Sequence, residues 1–117
     1  IALRSRQVDT LAGGSGTGWR DGTKGDALLN RPTAVAVLSR SILAVSDSGN
    51  RALRLLHIDS GRLETLNIHE QGAAKHHYWL GGLVSDRSGE TLYLTDVEMN
   101  KVKRVHVASG KSSTLIS

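Results

Sequence analysis

The chain has 117 residues, a formal net charge of +4 and no cysteine, which excludes disulfide bonds and metal sites built on thiolate ligands. No apolar run approaches the roughly 20 residues that a membrane-spanning helix requires. Hydrophobic residues make up 38% of the chain, aromatic residues only 3%, and phenylalanine is absent, so a core must be built mainly from Val, Leu, Ile and Ala.

An internal repeat organises the sequence. A three-residue motif ending in Thr-Leu recurs at residues 9–11, 64–66 and 113–115, so its threonines lie 55 and then 49 positions apart. A Ser-Gly pair precedes the last two copies, and an apolar segment ending in Asp, at 45–47 and 94–96, also recurs at an offset of 49. The agreement between these offsets indicates repeated structural units of about 50 residues.

The first unit is predicted to contain four short strands, at 33–38, 42–46, 52–58 and 62–67. Its first strand is an apolar run (AVAV at 34–37), which is typical of a strand buried on both faces. In the third strand Leu53 and Leu55 alternate with Arg54, as expected for a strand with one polar face. The second unit repeats this arrangement at 82–85, 91–95, 102–107 and 112–116.

The segments between the predicted strands contain residues that are typical of tight turns. The Asp-Ser-Gly-Asn segment at 47–50 combines a self-capping side chain with residues that tolerate positive φ, and Ser-Gly pairs at 60–61 and 109–110 favour tight hairpins. Four-stranded meanders at this period are typical of β-propeller blades. We therefore predict an all-β chain of antiparallel four-stranded blades, with helix a minor component at most.

Particular segments of the first unit resemble the NHL repeat, a family of propeller blades. These segments are VDTLAGG (8–14), Asp21-Gly22, NRPTAVAV (30–37) and LAVSDSGNRALR (43–54). The resemblance is strong over residues 8–66 and weaker over 80–116. In the second unit Val97-Glu98-Met99 replaces the Ser-Gly of the turn, and the loop at 67–79 lacks the glycine-rich pattern.

The resemblance implies radial blades, with the first strand of each blade innermost and the fourth outermost. We interpret residues 1–12 as the closing strand of a preceding blade, 32–67 as one blade and 80–116 as the next. Such an array leaves strand edges unpaired, and propellers have at least four blades. We therefore expect an incomplete ring here, with further blades from a longer chain, and regard assembly from several chains as the alternative.

The resemblance also places two kinds of connection on one rim of the array. These are the loops between blades, at 12–32 and 67–79, and the turns between second and third strands, at 47–51 and 96–101. Exposed aromatic and arginine side chains are frequent binding anchors, so we predict binding at this rim. The candidate residues are Trp19, Arg20, Arg31, Asn50, Arg51, His76, His77, Tyr78, Trp79, Asn100 and Lys101.

No pattern indicates catalysis. His57 and His106 recur at equivalent places in the two units, which favours a role in the repeat, and adjacent His76 and His77 on an extended chain point apart and seldom bind one ion. The glycine-rich loop at 13–18 lacks the Lys-Ser/Thr that follows a phosphate-binding loop. We predict no catalytic residue, no metal and no cofactor.

Asp47 and Asp96 are the best matched carboxylates, since each ends the second strand of its unit. We predict that they are structural caps that accept backbone N–H bonds in the following turns.

Three functions are consistent with these features. We favour a non-catalytic scaffold that binds a protein partner through the rim, because fold alone does not specify a ligand. The alternative is RNA binding by a basic rim, although Asp21, Asp26, Asp47, Asp96 and Glu98 interrupt that surface. A metal-dependent lyase, as found among relatives of NHL propellers, is less favoured because its ligands have no counterparts here.

Overall fold

A computed structural model describes residues 7–14, 16–23, 25–69 and 80–116. The predicted fold class is confirmed, since these residues form two four-stranded antiparallel sheets with a single 3₁₀ turn, at Ser48–Asn50, as their helical content. The first sheet consists of β1 (Pro32–Val37), β2 (Ile42–Asp47), β3 (Ala52–His57) and β4 (Arg62–Leu66). The second consists of β5 (Leu80–Ser85), β6 (Thr91–Asp96), β7 (Lys101–His106) and β8 (Ser112–Ile116).

Both sheets are meanders in which each strand pairs with the next along the chain. The strand bounds agree with the sequence prediction to within two residues. The largest difference is at β5, which begins at Leu80 instead of residue 82 because two glycines interrupt the apolar pattern. The β5–β6 register shifts between Leu80 and Leu83, and a Cβ at Gly81 would lie 2.6 Å from the Thr95 hydroxyl.

The main core lies between the two sheets, where β1 and β5 are adjacent. Period-2 alternation presents one aliphatic face of each sheet to the other. The first sheet contributes Ala36, Ala44, Leu53 and Leu55, and the second contributes Leu80, Leu92, Leu94 and Val105. All are aliphatic, as the composition requires. A smaller cluster of Ala27, Leu56 and Leu63 lies on the other face of the first sheet, beneath the loop that precedes β1.

Burial of β1 on both faces remains a prediction. Val35 and Val37 are 61% and 64% exposed, so within the described residues the strand is buried on one face, through Ala36. An apolar run shows that a strand tolerates burial on both faces but does not supply a neighbour for each face. Among the described residues, no element covers these two valines.

The predicted closing strand at 1–12 remains a prediction. Residues 1–6 lie outside the described residues, and 7–12 have no strand assignment. Within the described ranges, no helix is long and apolar enough to cross a membrane.

Candidate functional site

A buried arginine fastens the loop that precedes β1 to the first sheet. Arg54, on β3, has no exposed surface. Its Nη1 donates to the Leu28 carbonyl at 2.9 Å and to Asp47 Oδ2 at 2.8 Å. Its Nη2 donates to the Arg20 carbonyl at 3.0 Å and to Asp21 Oδ1 at 2.9 Å. Four charge-assisted bonds from one planar group therefore hold the loop in a fixed position.

Asp47 does not cap its turn as predicted. No backbone N–H of the turn that it begins bonds to its carboxylate. Oδ1 accepts the Asn30 N–H at 2.7 Å, and Oδ2 accepts Arg54 and the Asn50 amide. The physical reason is register: Asp47 pairs with Ala52, so Arg54 projects from the same face of the sheet and attracts the carboxylate.

Asp96 has the geometry that the sequence suggests for both aspartates. Its Oδ1 accepts the N–H groups of Glu98 at 3.2 Å and Met99 at 3.1 Å, and the side chain is buried. The second unit carries Lys103 where the first has Arg54. The two matched aspartates thus have different structural roles.

The loop and the turn that follows β2 are in direct contact. The Gly49 N–H donates to the Asn30 carbonyl at 2.7 Å, and a Cβ at Gly49 would lie 2.5 Å from that oxygen. The Asn50 amide donates to the Gly18 carbonyl at 2.9 Å as well as to Asp47. Asn50, a predicted binding residue, is therefore engaged in bonds within the chain.

Hydrogen bonds between the sheets bring the second turn to the same end of the molecule. Ser48 Oγ donates to the Leu80 carbonyl at 2.8 Å and lies 2.6 Å from Thr33 Oγ1. Leu80 pairs with Asp96, so the turn at 97–100 follows at this end. We call the surface formed by residues 16–23, 25–32, 48–51 and 97–100 the upper rim.

Trp19 contributes a large, exposed aromatic side chain to the upper rim. It is 57% exposed, and its indole N–H donates to Thr65 Oγ1 at 3.0 Å. Thr65 in turn donates to Asp21 at 2.8 Å, which links the indole to the Arg54 network. Trp19 and Arg51 border a small cleft of about 150 Å³, so the aromatic face is held beside open space.

Arg31 borders a larger cleft between the two sheets, of about 510 Å³. The cleft is lined by Asn30, Arg31, Thr33, Ser48, Gly49 and Leu80. Arg31 and Arg20 are both exposed, whereas Arg51 is half-buried. Arg31 and Arg51 have left-handed backbone conformations, with φ of 52° and 53°, which residues other than glycine seldom adopt.

The remaining predicted residues separate into two groups. Asn100 is exposed, with φ of 55°, and Lys101 is half-buried at the start of β7. His76, His77, Tyr78 and Trp79 lie outside the described residues. Of the candidates, Trp19 and Arg51 border one cleft, Arg31 borders another, and Arg20 is exposed next to Trp19 in the chain.

Residues 67–69, which follow β4, lie against the hairpin between β7 and β8. His69 forms an isolated bridge with Lys111, and its N–H donates to the Gly110 carbonyl at 2.8 Å. A Cβ at Gly110 would overlap the Asn67 carbonyl. Likewise, Gly22 of the first loop pairs with Leu63 on β4. Gly22 therefore lies against the outermost strand of the first sheet, and His69 lies against the start of the outermost strand of the second sheet.

Metal-ligating side chains are dispersed over the described part of the chain. Within it, no three His, Asp or Glu side chains converge as a metal site requires.

Asp86 caps the turn that follows β5. Burial alone would raise the pKa of its carboxyl, but hydrogen bonds from Thr91, Ser88, Gly89 and Glu90 outweigh burial and lower the pKa below its ordinary value of 3.8.

Sequence reasoning missed the role of Arg54, which it assigned to the polar face of a strand. A signal was present, because a basic residue follows the aspartate by seven positions in both units, at Asp47 and Arg54 and again at Asp96 and Lys103. A buried carboxylate requires a compensating cation, and this recurrence identifies the candidate.

No family model and no curated protein matches the sequence, whereas solved structures share its fold. A structural genomics protein of unknown function from Bacteroides thetaiotaomicron superposes with a TM-score of 0.71 at 16% identity, over 92% of this chain and 26% of that one. An auxiliary nutrient binding protein from the same organism gives 0.66 at 17% identity, over 80% and 27%. The chain spans about a quarter of each structure. At these identities the likeness shows the fold alone, two four-stranded antiparallel sheets consistent with consecutive propeller blades.

Proposed function

We propose that the chain is a segment of an NHL-type β-propeller and acts as a non-catalytic scaffold that binds a protein partner through the upper rim. The observation that carries this proposal is the exposed Trp19 beside a cleft, on a loop that Arg54 fixes to the sheet. Rigid aromatic anchors with little conformational entropy to lose dominate the energetics of protein interfaces. Arg31, beside the larger cleft, adds a planar charged group for hydrogen bonding.

The NHL assignment is supported by the match of residues 8–66 to that repeat and by the two consecutive meanders. The loop and turn that the resemblance places together lie in contact through Gly49 and Asn30. The order of strands in each sheet is that of a propeller blade.

Selection from a displayed library of random peptides against the 117-residue chain tests the scaffold. Trp19→Ala is expected to weaken binding of the selected peptides by about tenfold or more. Trp19→Phe loses the bond to Thr65 but keeps an aromatic face, so most of the affinity should remain. Arg31→Ala should weaken binding several-fold, whereas Arg40→Ala, an exposed arginine at the opposite end of β1, is the matched control. The absence of selected peptides, or full binding by Trp19→Ala, would contradict the proposal.

RNA binding is the second candidate, and one observation favours it. Asp47 and Asp96 are 0% and 3% exposed, so two of the carboxylates that interrupt the basic rim in the sequence do not reach solvent. Asp21 is paired with Arg54, while Arg20 and Arg31 are exposed.

Titration of a labelled mixed-sequence single-stranded RNA at low and high salt tests this candidate. Phosphate contacts require an affinity that falls steeply as salt increases. No binding at low salt, or equal binding at both concentrations, would reject RNA as the ligand.

A further inference from the structure

The two clefts of the upper rim open at the junction of the two sheets. The inner cleft, of about 510 Å³, is lined by Thr33 of β1 and Leu80 of β5 among others. The outer cleft, of about 150 Å³, is lined by Leu53 of β3 and Leu66 of β4 among others. Leu53 and Leu80 belong to the core that the sheets share, and Leu66 packs against it. Both clefts are therefore openings of the interface between two sheets that this chain contains.

Further blades would leave these clefts accessible. Blades of a propeller pack face to face around the ring. A preceding blade would cover the face of the first sheet that carries Leu56 and Leu63, which is the face away from the shared core. A following blade would cover the face of the second sheet that points away from the first. Neither would enter the junction at which the clefts open.

The outer cleft is suited to an apolar side chain. The apolar part of its lining consists of Trp19, Ala52, Leu53, Leu66 and Ile68. The Trp19 indole is held at the border of the cleft by its bond to Thr65. A cavity of about 150 Å³ accommodates a group of the size of benzene, so this cleft has room for the side chain of a leucine or a phenylalanine.

The inner cleft presents a cation. Arg31 is exposed, and no carboxylate of the described ranges forms an ion pair with it. The backbone of the preceding residue, Asn30, is fixed by bonds to Asp47 and Gly49. Arg31 has φ of 52°, a conformation that glycine or asparagine adopts with less strain. Such strain is concentrated at functional sites, so an arginine at this position indicates a role for its side chain.

The acidic residues of the upper rim do not occupy the clefts. Asp26 and Glu98 are exposed but line neither cleft, whereas Arg31 lines the inner cleft and Arg51 borders the outer one. The other acidic residues at this end are buried or ion-paired within the chain, namely Asp21, Asp47 and Asp96. Charge complementarity therefore favours an acidic ligand at the inner cleft.

The separation of the clefts matches a short extended peptide. The inner cleft lies at β1 and the outer cleft at β3 and β4, in a sheet with the order β1-β2-β3-β4. Neighbouring strands are about 4.8 Å apart, so the clefts are separated by roughly 10–14 Å. An extended chain rises by about 3.3 Å per residue. Side chains about four positions apart in one extended segment can therefore reach both clefts.

We propose that the partner presents an extended segment that crosses the upper rim along the junction of the sheets. An apolar side chain of this segment enters the outer cleft beside Trp19, and an Asp or Glu about four positions away binds Arg31. The guanidinium offers two parallel donors to the carboxylate. This inference rests on the proposed function and adds to it the chemistry of the partner.

Two displayed peptide libraries, selected against the 117-residue chain, test the proposal. In the first, a leucine and a glutamate are fixed four positions apart, in both orders, among random residues. In the matched library a glutamine replaces the glutamate. The tightest acidic peptide should bind about fivefold more tightly than its glutamine version. A peptide with the leucine and the glutamate only two positions apart should lose this advantage, because its carboxylate does not reach Arg31.

Arg31→Asn removes the cation and keeps a residue that tolerates positive φ, so the melting temperature should not fall. This variant is expected to bind the acidic peptide about fivefold more weakly and the glutamine peptide with unchanged affinity. Arg40→Asn makes the same change at an exposed arginine beyond the opposite end of β1. It is the matched control and should bind both peptides as the parent does.

The outcomes separate this inference from the proposed function. Peptides that depend on Trp19 but bind equally well with glutamate or glutamine would overturn the inference and leave the scaffold intact. If neither library yields a peptide that binds, both proposals fail. Binding of single-stranded RNA that Arg31→Asn abolishes, without any response to acidic peptides, would show that Arg31 recognises phosphate and would also overturn the inference.

Discussion

Arg54 Nη1 lies 2.8 Å from Asp47 Oδ2, and both side chains are fully buried. This pair joins β2 to β3, and through Leu28 and Asp21 it also holds the loop that carries Trp19. Desolvation makes a buried ion pair costly to form, but removal of one partner is costlier because a charge is left uncompensated.

Arg54→Met is therefore expected to lower the free energy of unfolding by about 3–5 kcal/mol. Arg62→Met is the matched control: the Arg62 side chain is 64% exposed, and its loss should cost less than about 1 kcal/mol. Denaturant unfolding measures both. Hydrogen exchange should accelerate at Leu28 and Gly49 in the Arg54 variant, and equal stability of the two variants would contradict the buried role.

Ser48→Ala tests the contact between the sheets. Ser48 donates to the Leu80 carbonyl and contacts the Thr33 hydroxyl, so the variant leaves the Leu80 carbonyl only the longer bond from Thr33 Oγ1, at 3.5 Å. The expected loss is about 1–3 kcal/mol of unfolding free energy. Ser113→Ala, an exposed strand serine, should change stability by no more than about 0.5 kcal/mol.

Gly89→Ala tests how closely the β5–β6 turn approaches the first sheet. Gly89 has φ of 78°, and a Cβ there would overlap the Leu38 carbonyl. Strain and overlap together should cost at least about 2 kcal/mol. Gly25→Ala has open space around it and serves as the control, with an expected change below about 1 kcal/mol. A thermal melt of Gly89→Ala that matches the parent would show that the turn is not packed as described.

The lowered pKa of Asp86 predicts a pH dependence of stability. A carboxyl whose folded pKa lies below the unfolded value of 3.8 stabilises the fold above that pH, and this contribution is lost as the pH falls through the folded pKa. Asp86→Asn removes it at all pH values. The difference in unfolding free energy between parent and variant should thus be largest near pH 6 and should decrease as the pH falls below 3.8. A difference that stays constant to the lowest pH would refute the assignment.

The fold followed closely from the sequence. Turn residues and alternating apolar positions act locally, so the eight strands could be predicted to within two residues of their ends. The repeat offset of 49 likewise identified Asp47 and Asp96 as equivalent, because equivalent strands keep equivalent positions.

What the sequence alone determined is the local architecture: eight strands in two meanders, their turns and the side of each strand that is aliphatic. Only the tertiary structure decided what covers each side. It buried Ala36 and Leu55 of the first sheet under the second sheet, and it buried Arg54 against Asp47. The physical reason is that alternation depends on adjacent residues, whereas burial and charge pairing depend on groups that the chain brings together from distant positions.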